Sequence, residues 1–224
     1  MALLALRLGR NWSNSSKTDI LTYNPPGVPN GILGGFFFEG MSMTTIVGVQ
    51  YKDKCVLAAD NQVTGEGGRR YNHPDMKKIA QRGPFLIAGS GEVQPCDVVQ
   101  HMWNPPKLTL KDSDDIYHFM ITKAMPSLRK CLTDNGYDFN EGKGEGKADE
   151  NRFNFLIAVG GELFDIADDL SVCRSGDGIY GVGSGSDYAV GAIHAGAKPE
   201  KAIEIACKLD VNTSGPVQIV EQYK

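Results

Sequence analysis

The chain has 224 residues, 41% of them hydrophobic and 22% charged, with a formal net charge of −4. That length suffices for one domain with a sizeable core, and the mildly acidic balance leaves no electrostatic footprint for nucleic acid. No apolar run reaches the roughly 18–20 residues that span a bilayer, and five scattered cysteines without a C-x-x-C pair argue against a disulfide framework or a zinc site and for a reducing, cytoplasmic setting.

Residues 1–43 differ from the rest. Asn, Ser, Pro and Gly dominate 11–35, and no helical or strand period is sustained there. Pro25-Pro26-Gly27 and Gly34-Gly35 are breakers. In the opening MALLALRLGR the arginine follows the apolar stretch, the reverse of a secretory signal. Residues 1–43 read as a pro-segment, a linker or an over-extended start, and 44–224 as the folded domain.

Order begins at Thr44. Thr45 to Gln50 is rich in β-branched residues, and Cys55 to Ala59 is an apolar run. The polar stretch Tyr51 to Lys54 between them predicts a hairpin. After the glycine-rich Gly65 to Gly68, Met76 to Gln81 and Pro84 to Ala88 read as a second strand pair turning at Arg82-Gly83. Val93, Cys96, Val99, Gln100 and Trp103 then fall at helical spacing, and Asn104-Pro105-Pro106 ends that helix. Ser113 reads as the N-cap of a second helix, with Asp114 and Asp115 at its positive end and Pro126 as a kink. Gly136 to Glu150 reads as a loop. Strands return at Phe153 to Val159, Leu163 to Ala167 and Gly178 to Val182, with Gly160-Gly161 as a hairpin turn. Helices follow over Ser186 to Gly196 and Pro199 to Leu209, the second opened by a proline suited to a first helical turn. Pro216 to Glu221 reads as the last strand.

Strands in blocks, instead of strands alternating with helices, argue against a parallel sheet. The order fits an α+β chain in which two antiparallel sheets lie between two helical layers, a four-layer αββα sandwich.

Several short motifs now converge. Thr44-Thr45-Ile46-Val47-Gly48-Val49 followed by Val56-Leu57-Ala58-Ala59-Asp60 resembles the start of a mature proteasome β-subunit. The opening Thr-Thr-Ile-Val is closer still to HslV, the bacterial proteasome-related peptidase. Met76-Lys77-Lys78-Ile79, Ala88-Gly89-Ser90-Gly91 and Val182-Gly183-Ser184-Gly185-Ser186-Asp187-Tyr188-Ala189 agree in order and approximate spacing. The resemblance spans about Thr44 to Ile219 and is to the N-terminal-nucleophile hydrolases of proteasome β type.

That resemblance implies a threonine endopeptidase with Thr44 as nucleophile. A threonine hydroxyl needs a base, and in this family the base is the threonine's own α-amine, whose pKa of about 7.7–8.0 lies close to neutrality. A peptide-bonded Thr44 has no such amine. The resemblance places the Lys78 ammonium beside the Thr44 hydroxyl and pairs Asp60 with Lys78. It gives the Gly89 N–H to the oxyanion, and sets Ser184, Asp210 and Thr213 around the amine. Thr213 stands where the family has serine, so a hydroxyl is kept. Val63, Met76 and Ile87 line the pocket for the residue before the cut, which implies a hydrophobic preference. No metal or organic cofactor is implied. The implied partners are a peptide or unfolded protein, further copies of the chain in a homo-oligomeric ring, and an ATP-dependent unfoldase.

Three features depart from the family pattern. Met43 stands where glycine is usual before the threonine, so Thr44 is freed either by self-cleavage or, if translation starts at Met43, by methionine removal. Two extra residues lie between Thr64 and Lys78, and Ser90 replaces a common glycine. Two other readings stay open at this point: a non-catalytic ring subunit, and an amidase of the same mechanism acting on a small amide.

Overall fold

A computed structural model describes residues 43–65, 68–109, 111–140 and 152–224. The expectations for residues 1–42 and for most of the 136–150 loop therefore lie outside the described residues.

The strands are β1 (Ile46–Gln50), β2 (Lys54–Ala59), β3 (Val63–Thr64), β4 (Arg70–Tyr71), β5 (Ile79–Arg82), β6 (Phe85–Gly91), β7 (Phe153–Val159), β8 (Glu162–Ile166), β9 (Val172–Cys173), β10 (Ile179–Val182) and β11 (Gln218–Tyr223). The helices are α1 (Val93–Met102), α2 (Ile116–Phe119), α3 (Met125–Asp134), α4 (Ser186–His194) and α5 (Pro199–Leu209). A π-turn over Met120–Ala124 joins α2 to α3 in one continuous helical segment. Strands β10-β1-β2-β11 form one antiparallel sheet and β5-β6-β7-β8-β9 the other, while β3 and β4 make a small hairpin of their own.

Alternation along the strands assigns the layers. In β6, Phe85 and Ile87 join the core shared with α1 and α3, whereas Leu86 and Ala88 face the other sheet. In β7, Phe153, Phe155, Ile157 and Val159 take the helix side; Leu156 and Ala158 lie between the sheets. In β1, Ile46 points between the sheets and Val47 packs on α4 and α5 with Ala58, Ala189, Ala202, Ile203 and Ala206. The architecture is the expected αββα sandwich.

Most element boundaries agree within two residues, and the differences have local causes. Strand β5 starts at Ile79, not Met76, because the Lys78 and Ile79 N–H groups both donate to the Gln218 side chain, at 3.0 and 3.1 Å, before the ladder begins. The N-cap of α2 is Asp115, not Ser113. Its extended backbone lets the carboxylate accept from the His118 N–H at 2.9 Å, while Ser113 belongs to a preceding 3-10 turn. The expected kink at Pro126 takes the form of the π-turn just before α3. Proline has no N–H and its ring crowds the carbonyl four residues back, so the helix widens there. Gly160 and Gly161 both have positive φ, +60° and +76°, as a two-residue turn between right-twisted strands requires.

Candidate active site

Thr44 lies just before β1 and is 3% exposed. Asp60 follows β2 directly and is fully buried. The pairing of β1 with β2, Ile46 opposite Ala59, brings these two residues, 16 apart in sequence, side by side. Lys78 precedes β5 in the opposite sheet and reaches across to both. Its Nζ sits 2.5 Å from Asp60 Oδ1 and donates a short hydrogen bond to Thr44 Oγ1. The Thr44 hydroxyl in turn donates to Asp60 Oδ1 at 3.2 Å.

A buried carboxylate is tolerated only when its oxygens are satisfied. Beyond Lys78 and Thr44, Asp60 Oδ1 accepts from the Thr45 N–H at 2.9 Å. Its Oδ2 accepts from the N–H groups of Gln62 (2.9 Å) and Ser214 (3.2 Å). Lys78 is held just as firmly through its backbone. Gln218 on β11 accepts from its N–H, and the Lys78 carbonyl accepts from Gln100 on α1 at 3.1 Å and from the Gly89 N–H at 3.4 Å. Burial lowers the Lys78 ammonium from its ordinary value, and the nearby Asp60 carboxylate opposes that shift. Burial also pushes the neighbouring thiols up, Cys96 to about 12 and Cys207 to about 11. Both are therefore neutral at physiological pH and offer no competing thiolate.

A second polar chain comes from the α4–α5 side. Ser184 Oγ donates to Asp210 Oδ2 at 2.7 Å, and Thr213 Oγ1 donates to the same oxygen at 2.5 Å. Thr213 Oγ1 lies 2.6 Å from Thr45 Oγ1. The turn Gly183-Ser184-Gly185 presses on Thr44 itself. The Gly185 N–H donates to the Thr44 carbonyl at 3.2 Å. Gly183 has φ +94°, and a side chain on it would strike the Thr44 carbonyl. Only glycine meets both conditions.

The structure thus brings Thr44, Asp60 and Lys78 into direct contact and joins Ser184, Asp210 and Thr213 in one chain. Gly89 touches the first group through the Lys78 carbonyl. A Cβ at Gly89 would come within 2.7 Å of Cys96 Sγ and 2.9 Å of the Phe155 ring, so packing alone already demands glycine there. The three residues expected to line a pocket lie in different settings. Val63 is half-buried in β3, Met76 is 39% exposed before β5, and Ile87 is fully buried in the core under α1 and α3.

Sequence reasoning missed the side chains of Thr45, Gln100 and Gln218 and the close approach of Gly183 to Thr44. One signal was available: Gln100 sits on an otherwise apolar helix face, where a buried amide needs a partner. Thr45, Gln218 and Gly183 serve contacts between residues more than a hundred positions apart and leave no local pattern.

No protein-family model and no curated protein matches the chain. Solved structures do. Thiobacillus denitrificans BPH superposes with a TM-score of 0.60 at 22% identity, over 80% of this chain and 98% of that one. Anbu, the ancestral β-subunit from Yersinia bercovieri, gives 0.58 at 12% identity over 80% and 81%. Eukaryotic HslV from Trypanosoma brucei gives 0.53 at 18% identity over 81% and 100%. A second structure of Thiobacillus denitrificans BPH, matching at 21% identity with a TM-score of 0.61, is a complex with epoxomicin. The chain has the fold of the proteasome β-type N-terminal-nucleophile hydrolases.

Proposed function

We propose that the domain is a threonine peptidase whose nucleophile is Thr44 Oγ1 once the peptide bond to Met43 is gone. The observation that carries this reading is the contact of the Thr44 hydroxyl with a buried lysine that is itself anchored on a fully buried aspartate. A lysine ammonium pointed at a hydroxyl oxygen stabilises developing alkoxide and disfavours a proton on a nearby amine. A purely structural Asp–Lys pair needs no hydroxyl in contact with both of its members.

In the proposed reaction Thr44 Oγ1 attacks the scissile carbonyl carbon and its proton passes to the freed α-amine. The amine then hands that proton to the departing amino group of the substrate. Water hydrolyses the acyl ester left on Thr44: the amine takes a proton from the attacking water and returns it to Thr44 Oγ1 as the acid product leaves. Gly89 N–H is the proposed donor to the oxyanion. Its bond to the Lys78 carbonyl is long, so a negatively charged oxygen competes for it effectively. Ser184, Asp210 and Thr213 support the amine side. Val63 and Met76, on the segments between β2 and β5, favour an apolar side chain before the cut, while Ile87 lies in the core under α1 and α3. An open peptidase cleft endangers other proteins, so assembly of copies into a ring that encloses the sites belongs to the same proposal. HslV-like peptidases and the epoxomicin-bound relative share this fold, which supports the reading.

Intact mass and N-terminal sequencing of the purified chain test it first. The expected product starts at Thr44 and hydrolyses a fluorogenic peptide with an apolar residue before the cut, and Thr44→Ala abolishes that hydrolysis. A chain that keeps Met43 attached through prolonged incubation, or a Thr44 product that leaves every peptide intact, points instead to a non-catalytic ring subunit. Release from small amides alone points to an amidase.

A further inference from the structure

Two hydrogen-bond networks meet at the site, and one side chain outside the expected catalytic set joins them. The first is Thr44, Lys78 and Asp60. The second runs Ser184, Asp210, Thr213. Thr45 is fully buried and belongs to both. Its N–H donates to Asp60 Oδ1 at 2.9 Å, and its hydroxyl lies 2.6 Å from Thr213 Oγ1.

The direction of that second contact follows from the partners. An ionised carboxylate only accepts, so the single Thr213 hydroxyl proton is committed to Asp210 Oδ2. Thr213 Oγ1 can then only accept from Thr45. The chain is therefore polarised, Thr45 to Thr213 to Asp210, with Ser184 donating to the same carboxylate oxygen from the other side. The surroundings are built to admit this hydroxyl. A Cβ on Gly185 would overlap Thr45 Oγ1 and approach Thr213 Oγ1 at 2.9 Å and Asp210 Oδ2 at 3.0 Å. Next to Thr213, the Ser214 N–H returns to Asp60 Oδ2, so the loop after α5 is tied to both networks as well.

We propose that Thr45 is a positioning residue: its hydroxyl ties the Thr213–Asp210–Ser184 chain to the strand that carries Thr44 and holds Ser184 in register with the nucleophile's backbone. Thr45 touches no reacting atom and acts through Thr213. The inference rests on the threonine-peptidase reading above. Thr45 is fully buried just before β1, and a valine would keep its shape. The hydroxyl is the part that packing does not require.

The test uses the full chain, carried to the Thr44 N-terminus and checked by intact mass, as wild type, Thr45→Val and Thr45→Ser. Valine keeps the β-branched shape and removes the hydroxyl; serine keeps the hydroxyl and removes a methyl. The expected result is a kcat lowered about tenfold or more in Thr45→Val, since small misplacements at a reacting centre carry large rate losses. KM should stay within about twofold, and Thr45→Ser should recover most of the loss although it packs less well. A kcat in Thr45→Val within about twofold of wild type overturns the inference, as does a Thr45→Ser variant equally slow. Wild-type chain that exposes Thr44 and cleaves nothing overturns the peptidase reading itself and this inference with it.

Discussion

The two helix-facing cores of the sandwich are built from different materials. The core between the five-stranded sheet and its helices holds Phe85, Trp103, Phe119, Phe153, Phe155 and Phe164, several in ring contact, such as Phe85 with Trp103 at 5.1 Å between centroids. The core between the four-stranded sheet and α4 and α5 holds Val47 and Ala58 from the sheet and Ala189, Ala202, Ile203 and Ala206 from the helices. Large rings bury more apolar area and contribute more to stability; small side chains let helices lie close to the sheet. Closeness is what the second layer needs. Gly185 caps the start of α4 and Asp210 the end of α5; Gly185 must reach the Thr44 carbonyl, and Asp210 must reach Thr213, which meets Thr45, just before β1. One layer stabilises the domain, and the other sets the geometry of the site.

Changes on the two sides should therefore separate stability from rate. Phe119→Ala, far from Thr44 in the aromatic layer, should cost about 3–5 kcal/mol of unfolding free energy. Its kcat, taken well below the midpoint of unfolding, should stay near wild type; denaturant titration beside peptide hydrolysis measures both. On the alanine side, Gly185→Ala should give the opposite pattern. Its new methyl meets the Thr45 hydroxyl and Asp210, and the displacement should lower kcat on the order of a hundredfold with a smaller change in the unfolding midpoint. Ala206→Leu tests the spacing itself. Overpacking should cost about 1–3 kcal/mol and lower kcat as well, because α5 cannot rise from the sheet without moving Asp210. An Ala206→Leu variant with full activity breaks the comparison.

The last contrast is a pH dependence confined to the alkaline range. Cys96, in the aromatic layer, has its thiol pushed by burial to about 12, and Cys207, beside the alanine layer, to about 11. A folded-state pKa above the ordinary 9.0 means that the unfolded chain loses its thiol proton first. The stability from each buried thiol is complete below 9.0 and drains as pH rises toward the folded value. For Cys96 that slope is at most about 1.4 kcal/mol per pH unit; Cys207, more exposed, adds less. Lys78, shifted downward, works in the opposite sense below 10.5. Denaturant unfolding across the alkaline range should show Cys96→Ala flattening the decline more than Cys207→Ala, and equal slopes for the two variants contradict the burial difference.

Much of this was legible in the chain itself. The β-branched and apolar runs of β1, β2, β6 and β7, the paired glycines at 160 and 161, the proline opening α5 and the blockwise order of strands and helices pointed to the layers, because those signals act over a few residues. The resemblance to the proteasome β type carried the implied chemistry only as residue types in order: a threonine, an aspartate, a lysine, a glycine-flanked serine. What the tertiary structure decided is which of them meet. Lys78 approaches Thr44 from the opposite sheet, its backbone gripped by Gln100 and Gln218. Thr213 comes from the loop after α5 to the Thr45 hydroxyl across 168 positions. Ile87, read as a pocket residue, lies wholly within the core. Local propensity has no access to such contacts: they exist only after the two sheets pack, when each buried polar group must find a partner in three dimensions.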